Sequence, residues 1–173
     1  MYQEESVILV DAENRETGVA GKMDAHRRGL MHRAISVMVW DARGRFLMQK
    51  RAVGKYHSGG LWSNACCSHP RPNEDALAAA SRRLHEEMGF SCPLSPLGTI
   101  AYRADVGSSL IENELVHVFR GVYDGPIRPN PEECDGYAWI TASDVRAALE
   151  VAPQRYTVWF AKYVAEGWLV PAV

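Results

Sequence analysis

Cysteine is scarce in this sequence, and its few copies follow no pattern. The four cysteines are Cys66, Cys67, Cys92 and Cys134, and their spacing does not resemble a disulfide framework. No Cys-x-x-Cys pair occurs, which argues against thioredoxin-like redox chemistry and against a zinc ribbon. The N-terminus is acidic and its apolar stretch is short, so no export signal is recognised. We therefore expect a protein of the reducing cytoplasm.

Long apolar runs and an excess of charge of one sign are also missing. No run approaches the length of a membrane span, and the net charge of −2 argues against a broad nucleic-acid surface. Any bound anion must therefore meet a local cluster of Lys and Arg. Hydrophobic residues make up 47% of the 173 residues, which suits one compact domain over residues 1–173. We expect a small molecule as partner, without nucleic acid or membrane, and a monomer or weak homodimer.

The chain does contain a mixture of strand and helix patterns. Alternating or β-branched runs predict strands at 5–10, 33–40, 46–51, 61–67, 97–103, 109–123 and 136–140. The strongest helix pattern covers 74–88, with Asn73 as its N-cap, one apolar stripe, and Gly89 at its end. Arg83 and Glu87 are expected together at one edge of that stripe, one turn apart. Shorter helices are predicted at 143–149 and 155–166. Because helices are scattered among more numerous strands, we predict an α+β fold with mixed sheets between helices.

Two carboxylates lie on the same face of one predicted strand. Side chains alternate with a period of two along a strand, so Glu112 and Glu114 point the same way. Val116 and Val118 share that face, which places the carboxylates toward a partly buried side. Two carboxylates near a core are costly unless a cation accompanies them. A solvated sheet edge is the alternative interpretation.

Three histidines could supply ligands for such a cation. His26 and His32 flank the start of the first long strand, and His69 follows the adjacent cysteines. Imidazoles and carboxylates together suit a divalent transition metal or magnesium. Six residues separate His26 from His32, so a loop has to bring them together. Taken singly, each histidine is more often an ordinary surface or core residue, and His57 is one of several that carry no pattern.

Basic residues and adjacent cysteines leave further alternatives open. Lys22, Arg51, Lys55 and Arg83 come from separate segments and either hold a phosphate or serve solubility. The run Asn64-Ala65-Cys66-Cys67-Ser68-His69-Pro70 has three interpretations. It could contain a redox pair, a metal site, or a nucleophile or acid/base with a helper.

Residues 68–90 resemble the Nudix box, which is Gly, five residues, Glu, seven residues, then Arg-Glu-aliphatic-x-Glu-Glu-x-Gly-aliphatic. The matching positions are Glu74, Arg82, Leu84, Glu86, Glu87, Gly89 and Phe90. Ser68 stands at the first Gly, and Arg83 replaces the first Glu of the trio. In Nudix hydrolases that glutamate helps to hold the catalytic metal, whereas a guanidinium can hold a phosphate by two hydrogen bonds. The resemblance therefore implies a Nudix fold that binds a diphosphate without cutting it.

Other motifs resemble one branch of that superfamily, the type 1 isopentenyl-diphosphate delta-isomerases. The resemblance runs from about residue 7 to residue 159. Its motifs are an Asn-x-x-Cys-x-His-Pro run, an Arg-Ala-x-x-Lys loop, a Tyr-Arg-Ala run before Glu-Asn-Glu, and a C-terminal tryptophan. They are matched by Asn64, Cys67, His69, Pro70, Arg51, Ala52, Lys55, Tyr102, Arg103, Ala104, Glu112, Asn113, Glu114 and Trp159.

The resemblance implies an enzyme that interconverts isopentenyl diphosphate and dimethylallyl diphosphate through a tertiary carbocation, in isoprenoid biosynthesis. It implies a Nudix fold with a short N-terminal extension. Its implied catalytic residues are Cys67, Glu114, Tyr102 and Trp159, with Cys66 as a packed neighbour. Its implied diphosphate ligands are Lys22, Arg51, Lys55 and Arg83. A divalent ion, Mn²⁺, Zn²⁺ or Mg²⁺, is expected at His26, His32, His69, Glu112 and Glu114. A Mg²⁺ ion is expected between Glu87 and the diphosphate.

Two other classes remain as alternatives at this point. A Nudix diphosphohydrolase would release phosphate, and Arg83 argues against it. A catalytically silent Nudix binding module would be expected to have lost some of Cys67, Tyr102, Glu114 and Trp159, and all four are present.

Overall fold

The computed structural model describes residues 5–170. Nine strands and four helices lie within this range, with a short 3-10 turn at Pro153–Arg155. The strands are β1 Ser6–Val10, β2 Glu16–Gly21, β3 His32–Trp40, β4 Phe46–Arg51, β5 Trp62–Asn64, β6 Cys66–Ser68, β7 Leu94–Asp105, β8 Ile111–Val122 and β9 Cys134–Ile140. The helices are α1 Lys22–Arg28, α2 Ala76–Met88, α3 Ala142–Val151 and α4 Val158–Ala165.

Strand β3 is the centre of the sheet. It pairs in parallel with β8 from His32–Glu114 to Trp40–Val122, and β8 pairs antiparallel with β7. The other edge of β3 meets three strands in turn: β1 at its start, β6 in its middle and β4 at its end. The predicted hairpin of β3 and β4 is therefore joined at one residue pair only. Beyond it β4 pairs with β5 and β9, so the sheet splays apart beside β6.

Alternation along β3 places helices on both faces of the sheet. Ile35, Val37 and Val39 pack with Leu84 and Met88 of α2. The opposite face of β3 carries Ala34, Met38 and Trp40. These residues pack in a second core with Val145 of α3 and with Phe160 and Tyr163 of α4. Each side chain of a strand points away from its neighbours, so one continuous apolar strand can serve both cores. The predicted α+β fold with sheets between helices is confirmed.

A β1–β2 hairpin and α1 form the N-terminal extension. Gly29 ends α1 with φ of 61°, a left-handed conformation that glycine adopts without steric cost. The chain reverses there and enters β3 at once, which brings the rings of His26 and His32 to a centroid distance of 4.9 Å. The loop that we expected to bring His26 and His32 together is therefore this turn between α1 and β3.

Two local predictions are wrong. The segment 61–67 is not one strand, because β5 pairs with β4 whereas β6 pairs with β3. Asn73 does not cap α2, since the Asp75 side chain accepts hydrogen bonds from the amides of Leu77 and Ala78. An aspartate and an asparagine are equally good caps, so composition could not choose between them. Within residues 5–170, no helix has the length and apolarity needed to cross a bilayer.

Candidate active site

Four neighbouring strands bring the candidate residues to one place. The register of β3 and β8 sets His32 beside Glu114, and the register of β7 and β8 sets Tyr102 on the other side of Glu114. Strand β6 places Cys67 opposite Ser36 of β3, and His69 follows directly after it. Backbone pairing therefore assembles residues that are far apart in the sequence.

Two of the imidazoles are oriented by backbone carbonyls. His26 Nδ1 lies 2.7 Å from Lys22 O, and His32 Nδ1 lies 2.8 Å from Leu30 O. A carbonyl can only accept a hydrogen bond, so each Nδ1 carries the proton and each neutral ring keeps its lone pair on Nε2. Both Nε2 atoms are buried without a hydrogen-bond partner among residues 5–170. This is the arrangement of metal-binding histidines.

The carboxylates of Glu112 and Glu114 share one donor. The Tyr102 hydroxyl donates to Glu112 Oε2 at 2.7 Å and to Glu114 Oε2 at 3.0 Å. Glu114 Oε1 lies 2.9 Å from His69 Nε2 and 3.4 Å from His32 Nε2. The predicted common face of the two glutamates is confirmed, and Tyr102 contacts both of them.

The two carboxylates differ in protonation. Burial and the adjacent charge of Glu114 raise the pKa of Glu112 well above its ordinary value. Burial also opposes ionisation of Glu114, but the adjacent imidazoles of His32 and His69 bring its pKa well below that value. The surroundings therefore push the two pKa values apart, and Glu112 is the member of the pair that binds a proton more readily.

These side chains form two overlapping groups that fit a divalent ion. The ligand atoms of His26, His32, His69 and Glu114 all lie within 4.8 Å of one another. A second group within the same distance consists of His26, His57 and Glu112. Four of the five predicted ligands of the first ion therefore meet in one group, and Glu112 lies in the second. The donor set of imidazole nitrogens and carboxylate oxygens suits a transition metal.

His57 is a site residue that the sequence interpretation missed. It lies in the loop between β4 and β5, and its Nε2 is 3.2 Å from Glu112 Oε1. Burial and the charges of Arg51 and His26 lower its pKa to about 3, so the ring is neutral at physiological pH. The only available signal was its position two residues after Lys55, in a loop already suspected of binding phosphate.

The adjacent cysteines point to different sides of the sheet. Cys66 belongs to the core beneath α2, as predicted for a packed neighbour. Cys67 faces a narrow cleft of about 20 Å³ with Tyr102, Glu114 and Trp159. Burial raises the pKa of the Cys67 thiol to about 12, although hydrogen bonds with Ser36 and Asn64 act in the opposite direction. Cys67 therefore keeps its proton at neutral pH.

Trp159 is anchored at the wall of that cleft. Only 2% of the residue is exposed, and its Nε1 donates to Ser63 Oγ at 2.9 Å. The guanidinium carbon of Arg51 lies 5.2 Å from the ring centroid, within the range of a cation–π contact. The indole face near the cleft can therefore interact with positive charge.

The four predicted diphosphate ligands do not all line one surface. Lys22 and Arg83 line an open groove of about 460 Å³ together with Ser68 and His69. Arg51 lines the inner cleft instead. Lys55 forms an ion pair with Glu133, whose other carboxylate oxygen accepts from Arg83 Nη2 at 3.0 Å.

Glu87 lies beside these cations rather than among the histidines. Its Oε1 accepts from Arg83 Nη2 at 2.8 Å, and its Oε2 accepts from Gln49 Nε2 at 3.1 Å. It belongs to neither of the two possible metal-ligand groups found in residues 5–170. The expected adjacency of Arg83 and Glu87 at the edge of α2 is confirmed, and a role for Glu87 in holding Mg²⁺ stays a prediction.

Comparison with known proteins places the chain in a family. Residues 30–160 match the NUDIX domain. The chain is 51% identical to isopentenyl-diphosphate Delta-isomerase 2 of Aromatoleum aromaticum over 91% of this chain and 84% of that protein. It is 48% identical to the isopentenyl-diphosphate Delta-isomerase of Burkholderia multivorans over 91% of this chain and 89% of that protein. The chain belongs to the isopentenyl-diphosphate delta-isomerase family. The expected membership of the isomerase branch is confirmed.

Solved structures agree with the NUDIX fold of this isomerase-family chain. DR0079 from Deinococcus radiodurans superposes with a TM-score of 0.71 at 17% identity, over 88% of this chain and all of that one. A MutT protein from Methanosarcina mazei gives 0.63 at 16% identity, over 79% of this chain and 95% of that one. At such identities the likeness concerns the fold alone. The β1–β2 hairpin and α1 precede the matched NUDIX residues and contribute Lys22 and His26 to the isomerase-family site.

Proposed function

We propose that this chain interconverts isopentenyl diphosphate and dimethylallyl diphosphate in isoprenoid biosynthesis. The proposal is supported by its similarity to proteins named isopentenyl-diphosphate Delta-isomerase. The structural observation that carries it is the narrow cleft where a protonated thiol, Cys67, and the pair Glu112 and Glu114 with Tyr102 lie together. Moving a double bond requires one group that adds a proton and another that removes one.

Cys67 and the glutamate pair supply these two groups in our proposal. An alkene is a weak base, so its protonation requires a positioned acid in a site that excludes water. Cys67 keeps its proton because its thiol is buried, and Glu112 keeps one beside Glu114. Addition of a proton to the terminal alkene carbon gives a tertiary cation at the next carbon. Removal of a proton from the CH₂ group on the diphosphate side of that cation gives the product. The acid is left deprotonated, and the opposite group holds the removed proton.

Tyr102 positions the glutamate pair and can relay a proton between them. Its hydroxyl lies within hydrogen-bonding distance of both carboxylates, and its ring is packed in the core with α4. Burial raises its own pKa well above the ordinary value, so the hydroxyl remains a donor. The proton that the pair holds can therefore move between Glu112 and Glu114 without leaving the buried site.

We assign Trp159 to stabilising the carbocation intermediate rather than to transferring a proton. An indole face stabilises an adjacent cation by about 0.5–2 kcal/mol, and more strongly where water is excluded. The cleft beside Trp159 has room for about one water molecule. A five-carbon substrate therefore requires the surrounding side chains to move apart, and its apolar chain would displace the water that could trap the cation.

The histidine and carboxylate groups are suited to a divalent ion, for which Mn²⁺, Zn²⁺ and Mg²⁺ are the candidates. His26, His32, His69 and Glu114 would hold it, with Glu112 at the margin. The observation in favour is the pair of buried Nε2 atoms on His26 and His32, which otherwise lack partners among residues 5–170. A bound cation would offset the buried negative charge of Glu114 and keep its carboxylate ionised.

The diphosphate is assigned to the groove lined by Lys22 and Arg83. Arg83 Nε is buried without a hydrogen-bond partner among the described residues, so one guanidinium N–H remains available for a phosphate oxygen. Arg51 lines the inner cleft, and Lys55 is joined to Arg83 through Glu133, so these two residues complete the proposed set of four cations. We propose that a Mg²⁺ ion bridges the diphosphate and Glu87, since hard oxygen ligands favour that ion.

A diphosphohydrolase is the competing function, and the surroundings of Arg83 disfavour it. The guanidinium stands at the position of a box glutamate and donates to Glu86 and Glu87 of the box and to Glu133, so the box has one carboxylate fewer for a hydrolytic metal. All four cysteines are free, which agrees with the proposed cytoplasmic location. The proposed enzyme acts on a small molecule, as a monomer or weak homodimer, without nucleic acid or membrane.

Incubation with isopentenyl diphosphate in deuterated water tests the function. We expect NMR to show dimethylallyl diphosphate with deuterium incorporated, and no released phosphate. Release of inorganic phosphate would identify a hydrolase instead. Unchanged substrate, with binding detected by titration, would identify a binding module. A Cys67→Ala variant is the matched control, because it should bind substrate and leave it unchanged.

A further inference from the structure

His57 remains unexplained by the roles proposed above. It is 5% exposed, and its ring packs edge-on against Trp159 at a centroid distance of 5.7 Å. Its Nε2 is buried without a hydrogen-bond partner among residues 5–170, although Glu112 Oε1 lies 3.2 Å away. A buried imidazole nitrogen without a partner is costly in a finished core. The loop between β4 and β5 nevertheless holds it at the histidine and carboxylate groups.

The two groups of ligand atoms share His26. Its Nε2 belongs to the group with His32, His69 and Glu114, and also to the group with His57 and Glu112. Its Nδ1 is bonded to the carbonyl of Lys22, so Nε2 is its only free donor to a metal. One nitrogen lone pair binds one ion, so an ion on His26 Nε2 would lie beside both groups. Each group by itself, but not the two combined, lies within 4.8 Å, so binding by all six residues requires small side-chain movements.

The distances within these groups are compatible with one ion. Two ligands about 2.1 Å from an ion and at a right angle to each other lie about 3.0 Å apart. Glu112 Oε1 and His57 Nε2 are 3.2 Å apart, and Glu114 Oε1 and His69 Nε2 are 2.9 Å apart. Both pairs therefore have the spacing of adjacent ligands rather than of groups that exclude a cation.

We propose that His57 is a further ligand of the divalent ion, so that four imidazole nitrogens and two carboxylates surround it. This inference rests on the proposed metal site and extends it. Imidazole favours transition ions such as Zn²⁺, Co²⁺ and Mn²⁺, whereas Mg²⁺ prefers oxygen. A site with four histidines therefore selects a transition ion, and leaves Mg²⁺ to the oxygen ligands beside α2.

A positioning role is the rival explanation for His57. In that case Nε2 carries a proton and donates to Glu112, while Nδ1 accepts from the Ser58 hydroxyl 3.2 Å away. His57 would then orient the Glu112 carboxylate without touching the ion. The two explanations differ in whether the imidazole of His57 is bonded to the metal.

Co²⁺ binding to the metal-stripped full chain, without substrate, separates these explanations. Paramagnetic Co²⁺ gives large contact shifts to the ring signals of each bonded histidine. We expect four such histidines in the wild type and three in His57→Gln, with Co²⁺ and Zn²⁺ affinity reduced about 10–100-fold. His85→Gln is the matched control, because His85 is exposed and should leave both results unchanged. His32→Gln should behave like His57→Gln.

Three shifted histidines in the wild type would overturn the proposal, even if His57→Gln failed to fold. Reduced affinity with an unchanged number of shifted histidines would also overturn it, in favour of positioning. A separate isomerase assay distinguishes failure of the proposed function, since Co²⁺ binding is measured without turnover. Four shifted histidines in a chain without isomerase activity would uphold the ligand assignment and reject the function.

Discussion

Two clusters of charged and titratable side chains lie near β6, one half-buried and one buried, and their charges are balanced differently. The arginine–carboxylate cluster consists of Arg82, Arg83, Lys55, Glu74, Glu86, Glu87 and Glu133. In it every carboxylate contacts a guanidinium or an ammonium group. The imidazole–carboxylate cluster consists of His26, His32, His57, His69, Glu112 and Glu114. Three of its Nε2 atoms are buried without hydrogen-bond partners in the described range.

The difference indicates where this protein needs a cation. The arginine–carboxylate cluster supplies its own positive charge, because Arg83 stands where other Nudix sequences have a glutamate. The imidazole–carboxylate cluster places two carboxylates side by side, and their hydrogen-bond partners are the Tyr102 phenol and the His69 imidazole. Buried charge without compensation is expensive, so the second cluster is the one that a metal would complete.

The adjacent cysteines provide the largest test of this contrast, since Cys66 faces the core beneath α2 and Cys67 faces the cleft. We expect Cys67→Ala to lower kcat about 10²–10⁴-fold, the usual contribution of a general acid or base. Cys66→Ala should keep most of the activity and lose only packing. Steady-state assays with circular dichroism would check both. Full activity of folded Cys67→Ala would remove the cleft from the mechanism.

Arg83→Glu replaces a cation of the arginine–carboxylate cluster with an anion. We expect kcat/KM for isopentenyl diphosphate to fall about 100-fold or more, because a phosphate donor is replaced by an anion. The variant should be a weak isomerase and not a pyrophosphatase, since a hydrolase also needs a water molecule positioned for attack on the diphosphate. Assays for dimethylallyl diphosphate and for phosphate would decide.

The matched control for that variant is Arg83→Gln, which removes the cation without adding repulsion and should lose less. An unchanged KM in Arg83→Glu would mean that this guanidinium does not meet the diphosphate. Efficient phosphate release would mean that one residue separates this isomerase from a hydrolase.

Glu133→Gln tests how much the ion pairs of the arginine–carboxylate cluster contribute to the free energy of unfolding. Burial opposes ionisation of Glu133, but Lys55 and Arg83 lower the pKa of its carboxyl to about 2. A lowered pKa in the folded state stabilises the fold above the ordinary value of 4.5. That contribution is lost as the pH falls toward 2. We expect the variant to lose about 1–3 kcal/mol of unfolding free energy at pH 7, and less at acid pH.

Urea unfolding at several pH values would measure this effect. The exposed neighbour Glu132 gives the control, since Glu132→Gln should leave the pH dependence unchanged. A difference between wild type and Glu133→Gln that stays constant from pH 7 to pH 3 would contradict the assignment of the stabilisation to an ionised carboxylate.

Glu87→Gln should have the smallest effect, on the Mg²⁺ requirement. Removing one carboxylate oxygen from a proposed Mg²⁺ bridge should raise the Mg²⁺ concentration for half-maximal rate several-fold. Glu86→Gln is the control, because Glu86 also contacts Arg83 but lies farther toward solvent. Chelation should stop turnover of both. Identical Mg²⁺ curves for wild type and Glu87→Gln would argue against a bridging ion at Glu87.

Local sequence patterns predicted the arrangement of sheet and helices and the faces of several site residues. The alternation in β3 and the stripe of α2 predicted the sheet between helices, because period two and period 3.6 assign side chains to faces directly. The shared face of Glu112 and Glu114, and the adjacency of Arg83 and Glu87, followed from the same geometry. The distinction between Cys66 and Cys67 came instead from the resemblance to the Asn-x-x-Cys-x-His-Pro motif of the isomerase family.

Only the tertiary structure decided which of these faces meet. His57 and Glu133 lie in or beside loops that have no period, so no pattern marked them as members of a cluster. Lys55 and Glu133 are 78 residues apart, and Arg83 and Glu133 are 50 apart. Residues 61–67 form two strands because β5 pairs with β4 whereas β6 pairs with β3, and no local pattern predicts these partners. Periodicity specifies where a side chain points, whereas its partner is set by sheet registers and loops that bring distant segments together.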